Sequence, residues 1–339
     1  MFVIDTGFKR VGDITFGPNQ LAIRNGEQPF TPEAFAQQQD GQPSGLHDRL
    51  TWDVEIWSWP PSGPPQRFSH NAYNPFGFDF DPKTGWLLFG EPDAWPQSRK
   101  GVKRADGQIV IAPDDRDAKF TGFALSPDGE RMLCLESWWD MRVFETPPPE
   151  QRFLVCHRDS DGGWVRHQVI RHGDEVLSCP AFLPDGGRFV ATVWVLRTNS
   201  RRTHEYHTGV QRVFDAQTFA LLETMDGWQF DRPPYFCGQW MVTFHSSTIV
   251  FRDTRDFSRV PVVVKGGRRK FAAFAAAPHG RFFLTASGHR VSVWETNTWQ
   301  EAKTFAWKAG PITCLAVSPD GLTAAAGSST GKVVVWDVE

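Results

Sequence analysis

The sequence predicts an all-β fold built from repeated copies of one strand–turn–strand unit. Three observations lead to this prediction. A turn of one kind recurs along the 339 residues, and several copies continue into a Val-rich run that ends in Trp. The spacing is regular where the copies are clearest, since Pro278 and Pro319 are 41 residues apart. Short strands and turns at a regular spacing are typical of repeat architectures.

The recurring turn is clearest at Ser318-Pro319-Asp320-Gly321, which separates the runs Ile312–Val317 and Leu322–Ala326. Proline holds φ at about −65° in the second position of such a turn, and glycine accepts positive φ at its end. The pattern therefore predicts a hairpin. Related turns occur at Phe16–Gln20, Phe80–Gly85, Ser126–Gly129, Pro184–Gly186 and Ala276–Gly280.

A further, degenerate copy is expected in the longest gap between turns. Pro184 and Pro278 are 94 residues apart, slightly more than twice the clear spacing. In this gap Trp240–Phe244 and Thr248–Asp253 are interpreted as a second and a third strand without the turn signal. Third strands resemble one another elsewhere, at Val54–Trp57, Val210–Asp215, Val291–Trp294 and Val334–Asp337.

The Ser-Pro-Asp-Gly turns and the Val-x-Val-Trp strands together resemble the WD40 repeat family over nearly the whole chain, although most copies lack the Gly-His and the turn Asp of the family consensus. The resemblance implies a seven-bladed WD40-type β-propeller, with residues 1–339 as a single domain. The last copy ends at its third strand, two residues before the end of the sequence. We therefore expect Phe2–Asp5 to pair into the last blade and close the ring, which leaves few exposed edges.

Four copies carry long insertions between their second and third strands. They lie near residues 25–49, 91–100, 136–151 and 196–208, whereas copies five to seven have tight turns there. In a propeller of this kind, these connections lie on one face. Within the first insertion, Thr31–Gly41 has the N-cap, first-turn proline and terminal glycine of a short helix.

The insertions are rich in residue types that dominate protein–protein interfaces. The chain has 15 Trp and 28 Phe but only 3 Tyr, and Trp and Arg are enriched at the centres of interfaces. We therefore expect a non-catalytic scaffold or recognition module whose partner, another protein, docks on the insertion-bearing face. The candidate contact residues are Trp95, Trp138, Trp139, Arg142, Phe144, Arg201, Arg202 and Tyr206.

Composition weighs against several other classes of protein. A net charge of −3 argues against a duplex DNA partner, since such a partner favours a strongly basic surface. No apolar run approaches the roughly 18 residues that span a bilayer, and the N-terminus lacks a signal peptide, so a cytoplasmic location is expected. The five cysteines form no Cys-x-x-Cys pair. They are interpreted as buried apolar residues in a reducing compartment, and no metal or cofactor is expected.

Two alternatives remain open at this point. The first is a hydrolase or lyase with its active site in the central channel, which a cluster of acidic side chains with raised pKa values would favour. The second is a nucleic-acid-binding module. The sequence lacks a Gly-x-Ser-x-Gly motif for a nucleophilic serine.

Three short segments have weaker chemical signals. His204-Glu205-Tyr206-His207 is interpreted as a solvated loop in preference to a metal site, because no third ligand is identifiable. Asp159–Gly163 is interpreted as a strand-joining turn in preference to a calcium loop. Gly266–Lys270 is interpreted as a flexible basic loop between blades that could still contact an acidic partner or RNA.

Overall fold

The computed structural model describes residues 1–26, 51–71, 76–91, 101–113, 118–137, 151–172, 176–198, 204–226, 234–245, 247–267 and 269–338. Every regular element within these ranges is a β-strand. The strands form seven sheets of four strands each. The structure is therefore a seven-bladed β-propeller, as the resemblance implies.

Each of the first three blades is formed by consecutive strands of the chain. The first blade contains β2 (Val11–Phe16), β3 (Gln20–Asn25), β4 (Thr51–Ser58) and β5 (Gln66–Asn71). The second contains β6 (Phe76–Phe80), β7 (Leu87–Glu91), β8 (Gly101–Arg104) and β9 (Ile109–Ile111). The third contains β10 (Lys119–Leu125), β11 (Arg131–Ser137), β12 (Gln151–Arg158) and β13 (Trp164–His172).

The next three blades repeat this order. The fourth contains β14 (Val176–Phe182), β15 (Arg188–Thr198), β16 (His204–Asp215) and β17 (Leu221–Asp226). The fifth, whose turn signal is lost, contains β18 (Tyr235–Cys237), β19 (Trp240–His245), β20 (Thr248–Asp253) and β21 (Val262–Lys265). The sixth contains β22 (Ala273–Ala276), β23 (Phe282–Ser287), β24 (Arg290–Glu295) and β25 (Gln300–Ala306).

The seventh blade closes the ring with the two ends of the chain. It contains β26 (Ile312–Val317), β27 (Thr323–Ser328), β28 (Lys332–Asp337) and, as its outer strand, β1 (Phe2–Asp5). β1 runs antiparallel to β28, with Phe2 opposite Val335 and Asp5 opposite Lys332. The buried Thr6 hydroxyl also donates to the Gly331 carbonyl at 2.7 Å. The predicted closure by the N-terminal strand is confirmed.

Apolar side chains fill the spaces between the blades. Seven buried clusters are present in the described ranges, and each combines residues from two successive blades. Phenylalanine supplies the largest of the fully buried side chains, because broad rings suit the gap between stacked sheets. The largest fully buried side chains include Phe89, Phe120, Phe153, Phe189, Phe214, Phe251 and Phe283.

The repeated turns form as the sequence predicts. In the third blade, Gly129 has a φ of 68° and its N–H donates to the Ser126 carbonyl at 2.8 Å. The Ser126 hydroxyl donates to Asp128 at 2.5 Å and accepts the Arg131 N–H at 2.9 Å. Ser318 repeats these contacts with Asp320 and Thr323 in the seventh blade. In both turns serine and aspartate thus satisfy the polar groups of the turn backbone.

The repeated tryptophans lie between blades but differ in exposure. Trp336 is 4% exposed and its ring centroid is 4.7 Å from that of Trp307. Trp294 stacks on Phe283 at 5.9 Å and donates its indole N–H to Thr285 at 2.9 Å, yet it is only half-buried. The expectation that both rings are buried is therefore confirmed for Trp336 and only partly met by Trp294.

Candidate functional site

Antiparallel strand order places two kinds of connection on the same side of the ring: those from second to third strands and those from one blade to the next. This side is called the insertion face. On it lie the strand ends that flank the four insertions, at Asn25/Thr51, Glu91/Gly101, Ser137/Gln151 and Thr198/His204. All four pairs belong to the neighbouring blades one to four. In the fifth to seventh blades, at most three residues separate the corresponding strands.

Most of the predicted contact residues lie outside the described residues. These are Trp95, Trp138, Trp139, Arg142, Phe144, Arg201 and Arg202. Tyr206 lies in β16, opposite Leu196 of β15. The sequence predicts a loop over 196–208, whereas β15 continues to Thr198 and β16 begins at His204. The interpretation of His204–His207 as a loop was therefore wrong, because the hairpin ladder extends through this segment.

Close backbone contacts fix the base of the first insertion. The Asp53 N–H donates to the Asn25 side-chain oxygen at 3.0 Å, and Ser69 donates to the Asp53 carboxylate at 2.5 Å. A Cβ atom on Gly12 would lie 2.6 Å from the Gly26 Cα. Only glycine permits this approach, so the residues that enter the first insertion start from a fixed position.

A buried amide fixes the base of the third insertion. Gln151, which is 2% exposed, accepts the Leu177 N–H at 2.6 Å and donates to the Leu177 carbonyl at 3.3 Å. Leu177 belongs to the innermost strand of the next blade. This pair of hydrogen bonds couples the end of the third insertion to the fourth blade. A buried amide that makes both bonds holds its element rigidly.

A polar cluster lies on the innermost strands of the first two blades, where these strands surround the central channel. Asp79 of β6 is open to solvent and accepts hydrogen bonds from the Phe80 N–H at 2.8 Å and from Thr15 of β2. Asp13 of β2 lies 3.7 Å from Arg24. Although Asp79 is accessible to water, the protein around it displaces much of the surrounding solvent, which raises the pKa of Asp79 to about 6, and the negative charge of Asp13 adds to the shift.

The sequence gives one indirect signal for this cluster. Thr15 and Asp79 occupy the same register position as Ala124, Ala275 and Ala316 in other blades. Small apolar residues buried in the clusters between blades occupy those places, so polar residues at this position in two adjacent blades are a departure from the repeat. This departure becomes visible only after the copies have been aligned.

The raised pKa of Asp79 gives a pH dependence of stability. The folded state binds more protons than the unfolded state between about pH 4 and pH 6, so this contribution to stability is lost as the pH rises through about 6. Asp79→Asn removes the charge and keeps an acceptor for Phe80 and Thr15. Because channel water screens the charge, we expect a gain of about 1 kcal/mol at pH 7.5 that vanishes near pH 3.5.

Urea denaturation at several pH values measures this effect. The control is Asp161→Asn, in an exposed turn on the opposite face. It should change the free energy of unfolding at pH 7.5 by less than Asp79→Asn does. An equal gain at pH 3.5 and pH 7.5 would contradict the assignment of the effect to the Asp79 charge.

The remaining candidate chemistry has structural explanations. Asp159 accepts the N–H groups of Asp161 at 3.0 Å and Gly163 at 2.6 Å, so this segment is the expected turn between two strands. Four of the five cysteines are buried, and burial raises the pKa of Cys237 and Cys314 to about 12. Across the described ranges, no three His, Cys, Asp or Glu side chains form a group that could hold a metal ion.

Comparison with known proteins gives one result for the family. Residues 299–337 match the family model described as WD domain, G-beta repeat. This segment comprises β25 to β28, the copy in which the turn and the third-strand Trp are clearest. No curated protein matches the chain. Among the described residues, no helix has the length and apolar character needed to cross a membrane.

Proposed function

We propose that this seven-bladed propeller, whose residues 299–337 match the WD repeat family model, is a non-catalytic binding platform, since WD40 propellers generally serve as protein-interaction scaffolds. Its partner is another protein, which docks on the insertion face over blades one to four. One observation carries this proposal: the four insertions begin and end on one face of four neighbouring blades, from strand ends that the ring holds in place.

The free energy of loop ordering supports the proposal. Tight turns close the equivalent hairpins of blades five to seven, whereas a longer connection costs more conformational entropy when it becomes ordered. Three long connections and the extended β15–β16 hairpin lie side by side on neighbouring blades, which is best explained by a shared use. The rigid contacts at Gly12 and Gln151 reduce the entropy lost when a partner binds, because they fix the positions from which the insertions start.

The test is a set of single substitutions in the insertions, at Trp95, Trp138, Trp139, Arg142, Arg201 and Arg202. A partner is first captured from the cells that make the protein and purified. Each residue is then changed to Ala, and affinity is measured by calorimetry. We expect one or two variants to lose more than about 2 kcal/mol of binding free energy with little change in stability.

Matched controls lie on the opposite face. Trp86 is 36% exposed and stacks against Arg104 at 3.9 Å, and Arg281 is exposed beside the turn that precedes β23. Trp86→Ala and Arg281→Ala should bind as the unchanged protein does. Normal binding by all six insertion variants, together with weak binding by the controls, would place the partner on the opposite face.

A second candidate function is a hydrolase or lyase that uses the central channel. One observation favours it, namely the raised pKa of Asp79 beside the Asp13 charge, because perturbed carboxyl groups occur often at active sites. A panel of ester, glycoside and phosphate substrates tests it. Turnover that Asp79→Asn abolishes, while partner binding is unchanged, would support an enzyme.

A further inference from the structure

A groove of about 220 Å³ lies between the fifth and sixth blades. One side is formed by Lys265 at the end of β21 and by Arg269 and Phe271 in the connection to the next blade. The other side is formed by strands of the sixth blade, with Trp294 and Glu301 among the lining residues. Because this connection joins two blades, the groove lies at the insertion face, beyond the blades that carry the insertions.

The walls of the groove are fixed before any ligand binds. The Trp294 indole N–H donates to Thr285 at 2.9 Å, and the Ser292 hydroxyl donates to Glu301 at 3.1 Å. Phe271 is 6% exposed, and a Cβ atom on Gly266 would lie 2.8 Å from its ring. Gly266, Arg269 and Phe271 of the connection are therefore held against the sixth blade.

The net charge of the groove is positive once the ion pair between Arg269 and Glu301 is counted. Arg269 Nη1 lies 3.0 Å from Glu301 Oε2, so each neutralises the other. Hydrogen bonds from Thr304 and Ser292, with the Arg269 charge, hold the pKa of Glu301 below its ordinary value and keep it ionised. Lys265 is exposed and adds one positive charge, and Arg269 keeps further N–H donors.

The size of the groove restricts its occupant. Pockets for small-molecule ligands and cofactors usually measure about 300–1,000 Å³, so a groove of 220 Å³ fits a single side chain better than a nucleotide. The Trp294 indole, which lines the groove together with Lys265 and Arg269, suits the methylene groups of that side chain. Its polar end must be anionic to complement Lys265 and Arg269.

We propose that the groove between blades five and six binds a Glu or Asp side chain of a peptide segment, with the carboxylate near Lys265 and Arg269 and the methylene groups against Trp294. This inference rests on the proposed function only in taking the ligand to be a protein. The groove is separate from the insertion residues, so its variants and theirs can be tested independently.

The probe is a hexapeptide of alternating Ala and Glu with both ends blocked, and the matched peptide has Gln in place of Glu. Binding is followed through the indole N–H signal of Trp294 in the NMR spectrum, which is assigned by its loss in Trp294→Phe. We expect the Glu peptide to shift this signal and to bind at least fivefold more tightly than the Gln peptide. Binding should weaken as salt concentration increases.

Two variants test the groove itself. Lys265→Glu should weaken binding of the Glu peptide at least fivefold because it reverses the free charge. Ser287→Phe should do so without a change of charge, because it fills the groove beside Trp294. Lys9→Glu is the matched control, since Lys9 is an exposed lysine on the insertion face, in the connection between the seventh and first blades, and it should bind normally.

The outcomes separate the hypotheses. Equal binding of the Glu and Gln peptides, or equal loss in Lys265→Glu and Lys9→Glu, would overturn the proposal. An oligouridine that binds more tightly than the Glu peptide, as followed by the Trp294 indole N–H signal, would also overturn the proposal and would favour RNA as the ligand. Insertion variants that lose the natural partner while the groove binds normally would leave both proposals standing. If groove variants lost the natural partner while all insertion variants bound it normally, the groove proposal would be supported and the insertion-face proposal contradicted.

Discussion

A chain that lacks residues 1–6 is expected to be less stable than the whole chain by at least about 4 kcal/mol. The deletion removes every pairing partner on the outer side of β28, from Phe2 opposite Val335 to Asp5 opposite Lys332. It also removes Ile4, which is 3% exposed within the cluster between the seventh and first blades. Truncation of a buried Ile alone costs about 2–5 kcal/mol. Thermal and urea denaturation measure the loss.

Substitutions within β1 separate burial from strand pairing. Ile4→Ala should account for about half of the loss or more, whereas Phe2→Ala and Val3→Ala, at positions that are 45% and 51% exposed, should cost less than about 1 kcal/mol. A synthetic peptide covering residues 1–8 should restore part of the stability of the deleted chain. Unchanged denaturation midpoints after the deletion would contradict the closure of the ring by β1.

The architecture could be predicted because its signals are local. Each Pro-Asp-Gly turn fixes a hairpin through its own φ angles and hydrogen bonds, as at Ser126 and Ser318. The fifth blade was found without such a turn, because the spacing between its neighbours required a copy there. Closure followed from the missing outer strand of the last copy. None of these steps needed knowledge of which residues meet across blades.

Contacts between blades could not be predicted in the same way. Thr15 and Asp79 are far apart in sequence, and each is an ordinary polar residue in a short strand. Their side chains meet because β2 and β6 are adjacent around the channel. A β-bulge in each strand, between Val11 and Asp13 and between Phe76 and Phe78, also shifts the register. No local pattern encodes that combination.

The candidate contact residues illustrate a second limit. The insertions were located from the interrupted repeat, and residues 27–50, 92–100 and 138–150 of the first three lie outside the described ranges. The predicted bounds of the fourth insertion, 196–208, were too wide. Polar and apolar residues alternate only weakly there, although the backbone of the β15–β16 hairpin continues to pair as far as Thr198 and His204. The groove beside Lys265 was missed for another reason: Trp294 lies in the sixth blade and Arg269 in the connection that precedes it, and only packing brings them into one groove.

Trp336→Ala is expected to cost about 3–5 kcal/mol of folding free energy, the range for truncation of a large buried ring. Trp336 lies against Trp307 and Phe305, with ring centroids 4.7 and 5.7 Å away, and belongs to the cluster between the sixth and seventh blades. Its indole N–H is buried without a hydrogen-bond partner. Trp336→Phe therefore breaks no hydrogen bond, and we expect it to cost less than about 1.5 kcal/mol.

Trp294, the equivalent tryptophan of the sixth blade, should be more sensitive than Trp336 to substitution by Phe and less sensitive to substitution by Ala. Trp294→Phe removes the bond to Thr285, whose hydroxyl is then buried without that partner, and this should cost about 1–3 kcal/mol. Trp294→Ala should be milder than Trp336→Ala, since the half-buried Trp294 ring opens onto the groove and leaves less of a cavity. Urea denaturation of the four variants measures both orders. A cost for Trp336→Phe above that of Trp294→Phe would show that ring size, and not the indole hydrogen bond, decides the role of this repeated residue.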